Sequence, residues 1–210
     1  MHDFKSDTID TATTSWVAIF RRLSELVIPR PIELVATVDP VGNTHLAPFS
    51  FFTVVSSNPP FIAFAPHRVG RTGSKKDTLR NVEQVGEFTV SVVTEEIAER
   101  VNNCAAPLPY GDSEFEHSGL TPVAAERVKA PLVAESPVAL ECTLEEIRTY
   151  GDEGGAGSLV VGRVVLMHFD PAVRDPVEGR VLPELLRAVG RMGGSLWCRT
   201  RDTFLLDRPS

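Results

Sequence analysis

The stretch THLAPFSFFTVVS, residues 44–56, decides the fold. Its β-branched and aromatic residues are typical of a β-strand, but Pro48 lies inside it and has no N–H with which to donate a ladder hydrogen bond. A proline within a strand indicates a sheet edge, a bulge, or a place where something other than a strand lies alongside. We therefore expect a strand whose pairing is disturbed near Pro48.

Strand patterns continue on both sides of this stretch, separated by turn residues at Asp39–Asn43, at Asn58–Pro60 and in the glycine-rich tip Gly151–Gly157. Six strands with helices only as inserts favour a barrel over alternating βαβ units, so we predict a mainly β fold class with helical inserts. The other five predicted strands are IELVATV (32–38), PFIAFAP (60–66), EFTVSVV (87–93), PVALECTLEEIR (137–148) and SLVVGRVVLMHF (158–169).

Helical spacing of apolar residues predicts an amphipathic helix over 14–26. A basic loop leads into a second helix that Ser74 or Asp77 can cap and Gly86 ends. Thr94 is predicted to cap a third helix, and LPELLRAV (182–189) forms the last. Residues 102–129 are expected to be a long excursion, anchored by Phe115 and Leu120. We expect one domain, residues 1–210, with its barrel core at about 28–168.

Charge and composition exclude several classes of function. A net charge of −7 and a pI near 5.3 disfavour nucleic acid as a partner. No stretch approaches the roughly 18 apolar residues of a membrane span, and the polar N-terminus contains no apolar leader segment, so a cytoplasmic location is expected.

The cysteine and histidine pattern predicts reduced thiols and no metal site. Cys104, Cys142 and Cys198 lie far apart and are odd in number, and the five histidines show no ligand spacing. His45 and His67 lie close to the stretches that matter below, yet an isolated histidine is more often structural, so neither is included in the candidate site.

Nucleotide-binding and hydrolase motifs are absent. Gly155-Ala156-Gly157 has Val160 where a dinucleotide fingerprint needs its third glycine, and it precedes a strand, so it is interpreted as a hairpin tip. The loop at 70–75 lacks the order of a phosphate-binding P-loop, and no GxSxG motif of a serine hydrolase is present.

Two remaining stretches complement each other. Residues 47–52, continued by Ser56 and Ser57, offer an interrupted backbone, three phenylalanines and hydroxyl groups. Lys75 to Thr78 place ammonium and hydroxyl groups at a helix N-terminus, where free N–H groups favour an anion. Together they suit a flat aromatic ring with a phosphate tail. The alternative is that the phenylalanines are core residues and the lysines belong to a solvated loop.

Seven segments occur in a recognisable order along the chain: VIPRPIELVATVD, HLAPFSFF followed by VVSSNPP, KDTLRNV leading to EFTVSVV, DSEFEHSGLT, ESPVALEC, VVGRVV, and RMGGSLW with the terminal Arg208-Pro209. In these segments, from Trp16 to Pro209, the chain resembles the flavin reductase-like, FMN-binding split-barrel family that includes flavoredoxin-type proteins. Thr53 stands where this family often has Asn, and Trp197 where it often has Tyr, which puts substrate preference in doubt more than FMN binding.

The resemblance implies a six-stranded Greek-key barrel, dimeric, with noncovalent FMN near the subunit interface. The backbone around 47–50 would face the isoalloxazine edge, Ser56 and Ser57 would lie toward the ribityl chain, and Lys76 and Thr78 would hold the phosphate. Arg191 is a weaker candidate for the same anion. The full set of implied cofactor-binding residues is Ala47, Pro48, Phe49, Ser50, Phe51, Ser56, Ser57, Lys76, Asp77, Thr78 and Arg191.

The implied function is that of an oxidoreductase in which NADH or NADPH reduces the bound flavin and a second acceptor, free flavin, a ferric complex or another protein, takes the electrons. No catalytic side chain is required, since the flavin carries the chemistry. Two alternatives remain open. One is an FMN-containing electron carrier without its own nicotinamide oxidation, and the other is a barrel that has lost flavin and binds heme, pyridoxal phosphate or a partner protein.

Overall fold

The computed structural model describes residues 7–109 and 111–209. No helix in this part of the chain is long and apolar enough to cross a bilayer. The helices are α1 (Trp16–Leu26), α2 (Asp77–Val85), α3 (Ala98–Asn103), α4 (Glu114–Ser118) and α5 (Pro183–Leu186). The strands are β1 (Arg30–Pro31), β2 (Glu33–Val38), β3 (Thr44–Phe49), β4 (Phe52–Ser57), β5 (Pro60–Phe64), β6 (Glu87–Val92), β7 (Pro122–Val123), β8 (Leu132–Val133), β9 (Val138–Tyr150), β10 (Gly157–Phe169), β11 (Val189–Arg191) and β12 (Trp197–Arg199).

Seven strands form one antiparallel sheet, in the order β3-β2-β6-β9-β10-β5-β4. The strand predicted over residues 44–56 is interrupted, and the sheet closes into a barrel at that interruption. β3 and β4 lie at opposite edges of this sheet, although only Ser50 and Phe51 separate them along the chain. Because so short a connection reaches no more than about 11 Å, the two edges must meet there and the sheet must curl into a barrel. The stretch 44–56 is therefore two strands, and seven strands replace the expected six.

The barrel interior is filled by one apolar cluster to which α2 contributes. Val35, Phe64 and Phe88 from the strands pack with Leu79 and Val82 of α2, so the helix closes the barrel with its apolar side. Gly162 makes this packing possible, because a Cβ atom there would lie 2.2 Å from the Phe88 ring. The long β9–β10 hairpin, whose tip was predicted from its glycines, lies in the middle of the strand order and so on the side of the barrel away from the β3–β4 connection.

The excursion packs on the outer face of β2 and β3. Phe115 and Leu120, predicted as its anchors, are both buried in a second apolar cluster with Leu34 and Leu46. The Glu114 carboxylate ties the excursion to β3, since it accepts a hydrogen bond from the Leu46 N–H and lies 2.9 Å from His45 Nδ1. All six residues of β2 are therefore buried, with one face toward each cluster.

The predicted end of the second helix is correct, but its predicted start is not. Gly86 ends α2 in the left-handed conformation, at φ 74°. At the start, Lys76 is the N-cap residue and makes no side-chain capping bond. The Ser74 hydroxyl instead pairs with Thr72, and Asp77 pairs with Arg80. The first turn of α2 thus keeps its N–H groups free of side-chain caps.

Two other helix predictions are wrong in their bounds. Thr94 does not cap a helix, because it forms an isolated bridge with Ala188 and α3 begins only at Ala98. In the segment 182–189 only Pro183–Leu186 is helical, and Val189 opens β11. In both places pairing between distant segments takes over from local helix propensity.

Glu33 is a buried carboxyl group at the start of β2. Its side chain lies on the same face as Val35, and its Oε2 has no hydrogen-bond partner among the described residues. Burial raises the pKa of Glu33 to about 8, since the charged form loses its hydration. At neutral pH this carboxyl therefore keeps its proton in the folded protein.

Replacing Glu33 by glutamine should change how stability depends on pH. The folded pKa lies above the unfolded value, so the wild type progressively loses stability as pH rises from about 4.5 to about 8. The glutamine side chain cannot ionise, so the variant should gain several kcal/mol relative to wild type between these limits. Urea unfolding at about pH 5 and about pH 9 measures the gain. An equal difference at both pH values would contradict a buried neutral Glu33.

Candidate functional site

A cavity of about 730 Å³ opens at the break between β3 and β4. Four segments far apart in sequence reach it: α1, the residue preceding α2, the end of α3, and the loop that follows β11. Its volume lies within the range of small-molecule and cofactor pockets. Six of the sequence-predicted site residues line it: Pro48, Phe49, Ser50, Phe51, Lys76 and Arg191.

The break itself supplies the central part of the wall. Ser50 and Phe51 belong to neither strand and both line the cavity, although the Phe51 carbonyl still accepts a hydrogen bond from the Ala65 N–H at 2.9 Å. The Ser50 hydroxyl accepts a 3.3 Å hydrogen bond from Arg30 Nε. Pro48 pairs with Leu34 in register and has no N–H to donate. The proline that disturbed the strand pattern thus lies immediately beside the cavity.

Lys76 brings a positive charge to the N-terminus of α2. Its neighbour Lys75 is held by Glu83 at 2.7 Å, whereas Lys76 lines the cavity. Partial burial lowers the pKa of Lys76, although the residue stays open to the cavity mouth. Burial, with the charge of Lys76 nearby, also lowers the pKa of His67. The ammonium group and the uncapped N–H groups of α2 together favour an anion here.

The cavity has an excess of positive charge although the chain as a whole carries −7. Arg21, Arg30, Lys76 and Arg191 line it, against the single carboxylate of Glu25. Glu25 is itself paired with Arg22 at 2.8 Å. Such a cavity attracts a ligand with negative charge.

Aromatic rings share the cavity lining with these charges. The Phe51 ring lies 4.9 Å from the ring of His67 at an interplanar angle of 89° and 6.0 Å from that of Phe20, while the guanidinium of Arg30 lies 5.8 Å from its centroid. Trp16 of α1 completes the wall. Flat rings and cations together in one cavity are the features expected of a site for an aromatic ring with an anionic tail.

Five other predicted residues do not line the cavity. Thr78 is fully buried, and its hydroxyl lies 3.0 Å from His45 Nε2. Asp77 faces Arg80, and Ala47 packs against the barrel core. Ser56 and Ser57 lie on β4, where they pair with Phe61 and Pro60. The cofactor roles of these five residues stay predictions that rest on the resemblance.

Arg30 is the most extensively bonded cavity residue that the sequence did not single out. It is buried and donates hydrogen bonds to the carbonyls of Ser24, Val27 and Met192, in addition to Ser50. Burial and the nearby charge of Arg191 lower the pKa of Arg30. Arg30 thereby fastens the end of α1 and the loop after β11 to the strand break. The sequence signal that could have identified Arg30 was its place in the VIPRPI segment, which belongs to the first of the segments that carry the family resemblance.

α1 was predicted as a helix but not as part of the site. It is fixed over the cavity by Trp16, which packs on the loop at Gly70 and on the hairpin tip, where a Cβ atom at Gly155 would lie 2.4 Å from the indole. These glycines were interpreted only as turn residues. Which helix packs on a glycine-rich tip depends on tertiary structure, so the sequence pattern alone could not assign Trp16 and Phe20 to the cavity.

Comparisons with known proteins agree with this geometry. The flavin reductase like domain matches residues 24–187. An uncharacterised protein of Halalkalibacterium halodurans is 42% identical over 195 residues, which cover 91% of each chain. The structure of nitrilotriacetate monooxygenase component B from Bacillus cereus is similar at TM-score 0.90 and 32% identity, over 97% of this chain and 100% of the other.

The Pseudomonas fluorescens 2-nitrobenzoate 2-nitroreductase NbaA is similar at TM-score 0.86 and 30% identity, over 97% of both chains. The structure of a flavin reductase with a split barrel domain from Shewanella frigidimarina is similar at TM-score 0.80 and 24% identity, over 94% of this chain and 96% of the other. This similarity confirms the expected fold class. The chain therefore belongs to the flavin reductase-like family.

Proposed function

We propose that this protein binds FMN noncovalently and passes electrons from NADH or NADPH through the flavin to a second acceptor. The observation that carries the proposal is the joining of the strand break and Lys76 in one cationic, aromatic-walled cavity. A bound flavin would supply the redox chemistry by accepting a hydride and passing the electrons on. The polypeptide then has to bind, orient and shield it.

The residues of the cavity suit these tasks. Lys76 and the free N–H groups of α2 would hold the phosphate, and the backbone at Ser50 and Phe51 would face the polar edge of the ring system. Phe51 and Trp16 would exclude water from the ring faces. Arg30 does not need to touch the flavin, because its bonds to Ser50 and to the Met192 carbonyl hold two parts of the wall in place.

Two of the similar structures suggest the class of acceptor. One is a component of a monooxygenase and the other is named a nitroreductase. Either free flavin or a small organic molecule is therefore the terminal acceptor in this proposal. The three free cysteines fit a reducing, cytoplasmic compartment.

Replacing Lys76 by Met should weaken FMN binding roughly tenfold, because a charge-assisted phosphate contact is lost. Lys75→Met is the matched control: the neighbouring ammonium is occupied by Glu83, and its loss should change FMN affinity less than about twofold. Titration of FMN fluorescence with each protein measures the affinities. Equal weakening by both substitutions would contradict the assignment of Lys76.

Anaerobic mixing with NADH and with NADPH tests electron entry. We expect at least one of them to bleach the visible absorbance of the FMN-loaded protein in a stopped-flow instrument, at a rate that saturates with nucleotide concentration. A flavin that neither nucleotide bleaches, but that dithionite reduces fully, would contradict the proposal and favour the electron-carrier alternative.

We also propose a homodimer in which α1 is covered by the second copy. Ser24 is the buried residue of α1, while Leu23, Leu26 and Val27, at its end and just beyond, are 51%, 75% and 61% exposed. An amphipathic helix with so much exposed apolar surface indicates an interaction face. This face borders the cavity, so the partner would lie close to the flavin.

Replacing Leu26 by Lys should dissociate the dimer. A symmetric interface contains the substitution twice, so the dissociation constant should rise about 100-fold or more. Val41→Lys, at an 84% exposed position in the turn between β2 and β3, is the control and should leave the dimer intact. Sedimentation velocity at several concentrations measures the association. A wild-type monomer, or a Leu26→Lys dimer of unchanged affinity, would contradict the proposed face.

A further inference from the structure

A second cavity of about 660 Å³ adjoins the first. It lies between α3 and the β11–β12 hairpin, and its wall includes Ala98, Val189 and Arg199. Asn102, Arg191 and Trp197 line both cavities. These three residues therefore form a boundary that the two cavities share.

Two arginines that line the second cavity have guanidinium N–H groups that the described residues do not use. Arg199 uses Nε to bind Glu95 at 2.9 Å, and its two terminal nitrogens bond to nothing else among residues 7–109 and 111–209, so they are available to another acceptor. Arg191 donates from Nη2 to the Gly194 carbonyl and pairs with no carboxylate in the part of the chain that the structure describes. Both guanidinium groups line the second cavity, and Arg191 also lines the first.

The acidic residues here are largely neutralised. Glu95 is bound by Arg187, Arg199 and Arg201 together, and hydrogen bonds from Arg201 and Arg199 lower the pKa of Glu95 to about 2. Glu96 also faces Arg187, at 3.4 Å, and Glu99 is exposed at the rim. The lining itself contains two arginines, Arg191 and Arg199, and two carboxylates, Glu95 and Glu99, so it carries no formal excess of charge. Because three arginines share the Glu95 carboxylate, guanidinium donors remain for an anionic ligand.

An aromatic surface completes the second cavity. Trp197 is half-buried in its wall, and the guanidinium of Arg191 lies 5.3 Å from the indole centroid. An indole with a stacked arginine offers both a flat apolar face and phosphate donors, a combination that suits a nucleotide.

We propose that the second cavity binds the adenosine diphosphate portion of the dinucleotide reductant, with Arg191 and Arg199 as its phosphate contacts. The inference rests on the proposed function. If the nicotinamide lies against a flavin in the first cavity, the adjoining second cavity offers a space lined by two arginines for the remainder of the dinucleotide. The pyrophosphate between the two nucleosides then lies where the unpaired guanidinium donors are.

Calorimetric titration with ADP-ribose, which lacks the nicotinamide, tests the second cavity directly. The FMN-loaded wild type should bind ADP-ribose, and Arg199→Ala should raise its dissociation constant roughly tenfold by removing a charge-assisted contact. Glu95 keeps Arg187 and Arg201 in this variant, so the fold should be retained. FMN affinity should not change, because Arg199 does not line the first cavity.

Arg180→Ala is the matched control. Arg180 is likewise an exposed arginine in one ion pair, with Glu178 at 2.9 Å, and it lines neither cavity. Its loss should leave ADP-ribose binding within about twofold of wild type. No binding of ADP-ribose by the wild type at about 1 mM, or equal effects of the two substitutions, would overturn the inference.

Flavin reduction separates this inference from the proposed function. In stopped-flow experiments Arg199→Ala should raise the nucleotide concentration needed for half-maximal reduction by a factor similar to that for ADP-ribose. A protein that binds ADP-ribose through Arg199, but whose flavin neither nucleotide reduces, would support the second cavity and contradict the proposed function. Reduction with an unchanged half-saturating concentration in Arg199→Ala would overturn the assignment of the second cavity.

Discussion

The two-residue connection between β3 and β4 is the constraint on which the rest of the structure depends. It joins the opposite edges of one sheet, so the barrel is closed at this point by the chain itself instead of by a ladder of hydrogen bonds. No ladder of hydrogen bonds therefore joins β3 to β4, and a cavity opens beside the two residues that connect them.

Arg30 compensates for the missing ladder. A gap in a barrel wall would let the neighbouring segments separate, but this buried guanidinium bonds the end of α1, the Ser50 hydroxyl and the loop after β11 at once. Its charge has no carboxylate partner among these contacts, and carbonyl oxygens take its donors instead. The field of Arg30 therefore extends into the cavity and adds to that of Lys76, which explains how a chain of net charge −7 maintains a cationic cavity.

The sequence predicted those parts of the fold that local pattern controls. Alternating β-branched residues located the strands, the glycines located the β9–β10 hairpin tip, and Gly86 located the end of α2. It also paired Pro48–Phe51 with Lys76 as two parts of one site, and these residues do line one cavity. The features that the sequence could not predict depend on contacts between residues far apart in the chain. The α1 aromatic residues reach the cavity only because Trp16 packs on two glycines more than 50 residues away, at Gly70 and Gly155.

Thr78 illustrates why residue chemistry alone does not assign a role. Its hydroxyl at a helix N-terminus suits a phosphate, yet in the structure that hydroxyl contacts His45, whose other ring nitrogen contacts Glu114 of α4. This buried chain of polar groups links α2, β3 and the excursion, so it fixes the first turn of α2 against the barrel. A rigid first turn keeps the free N–H groups of α2 and the neighbouring Lys76 aimed at one place. Thr78 can therefore serve an anion site through the position of its backbone, with its side chain directed away from the ligand.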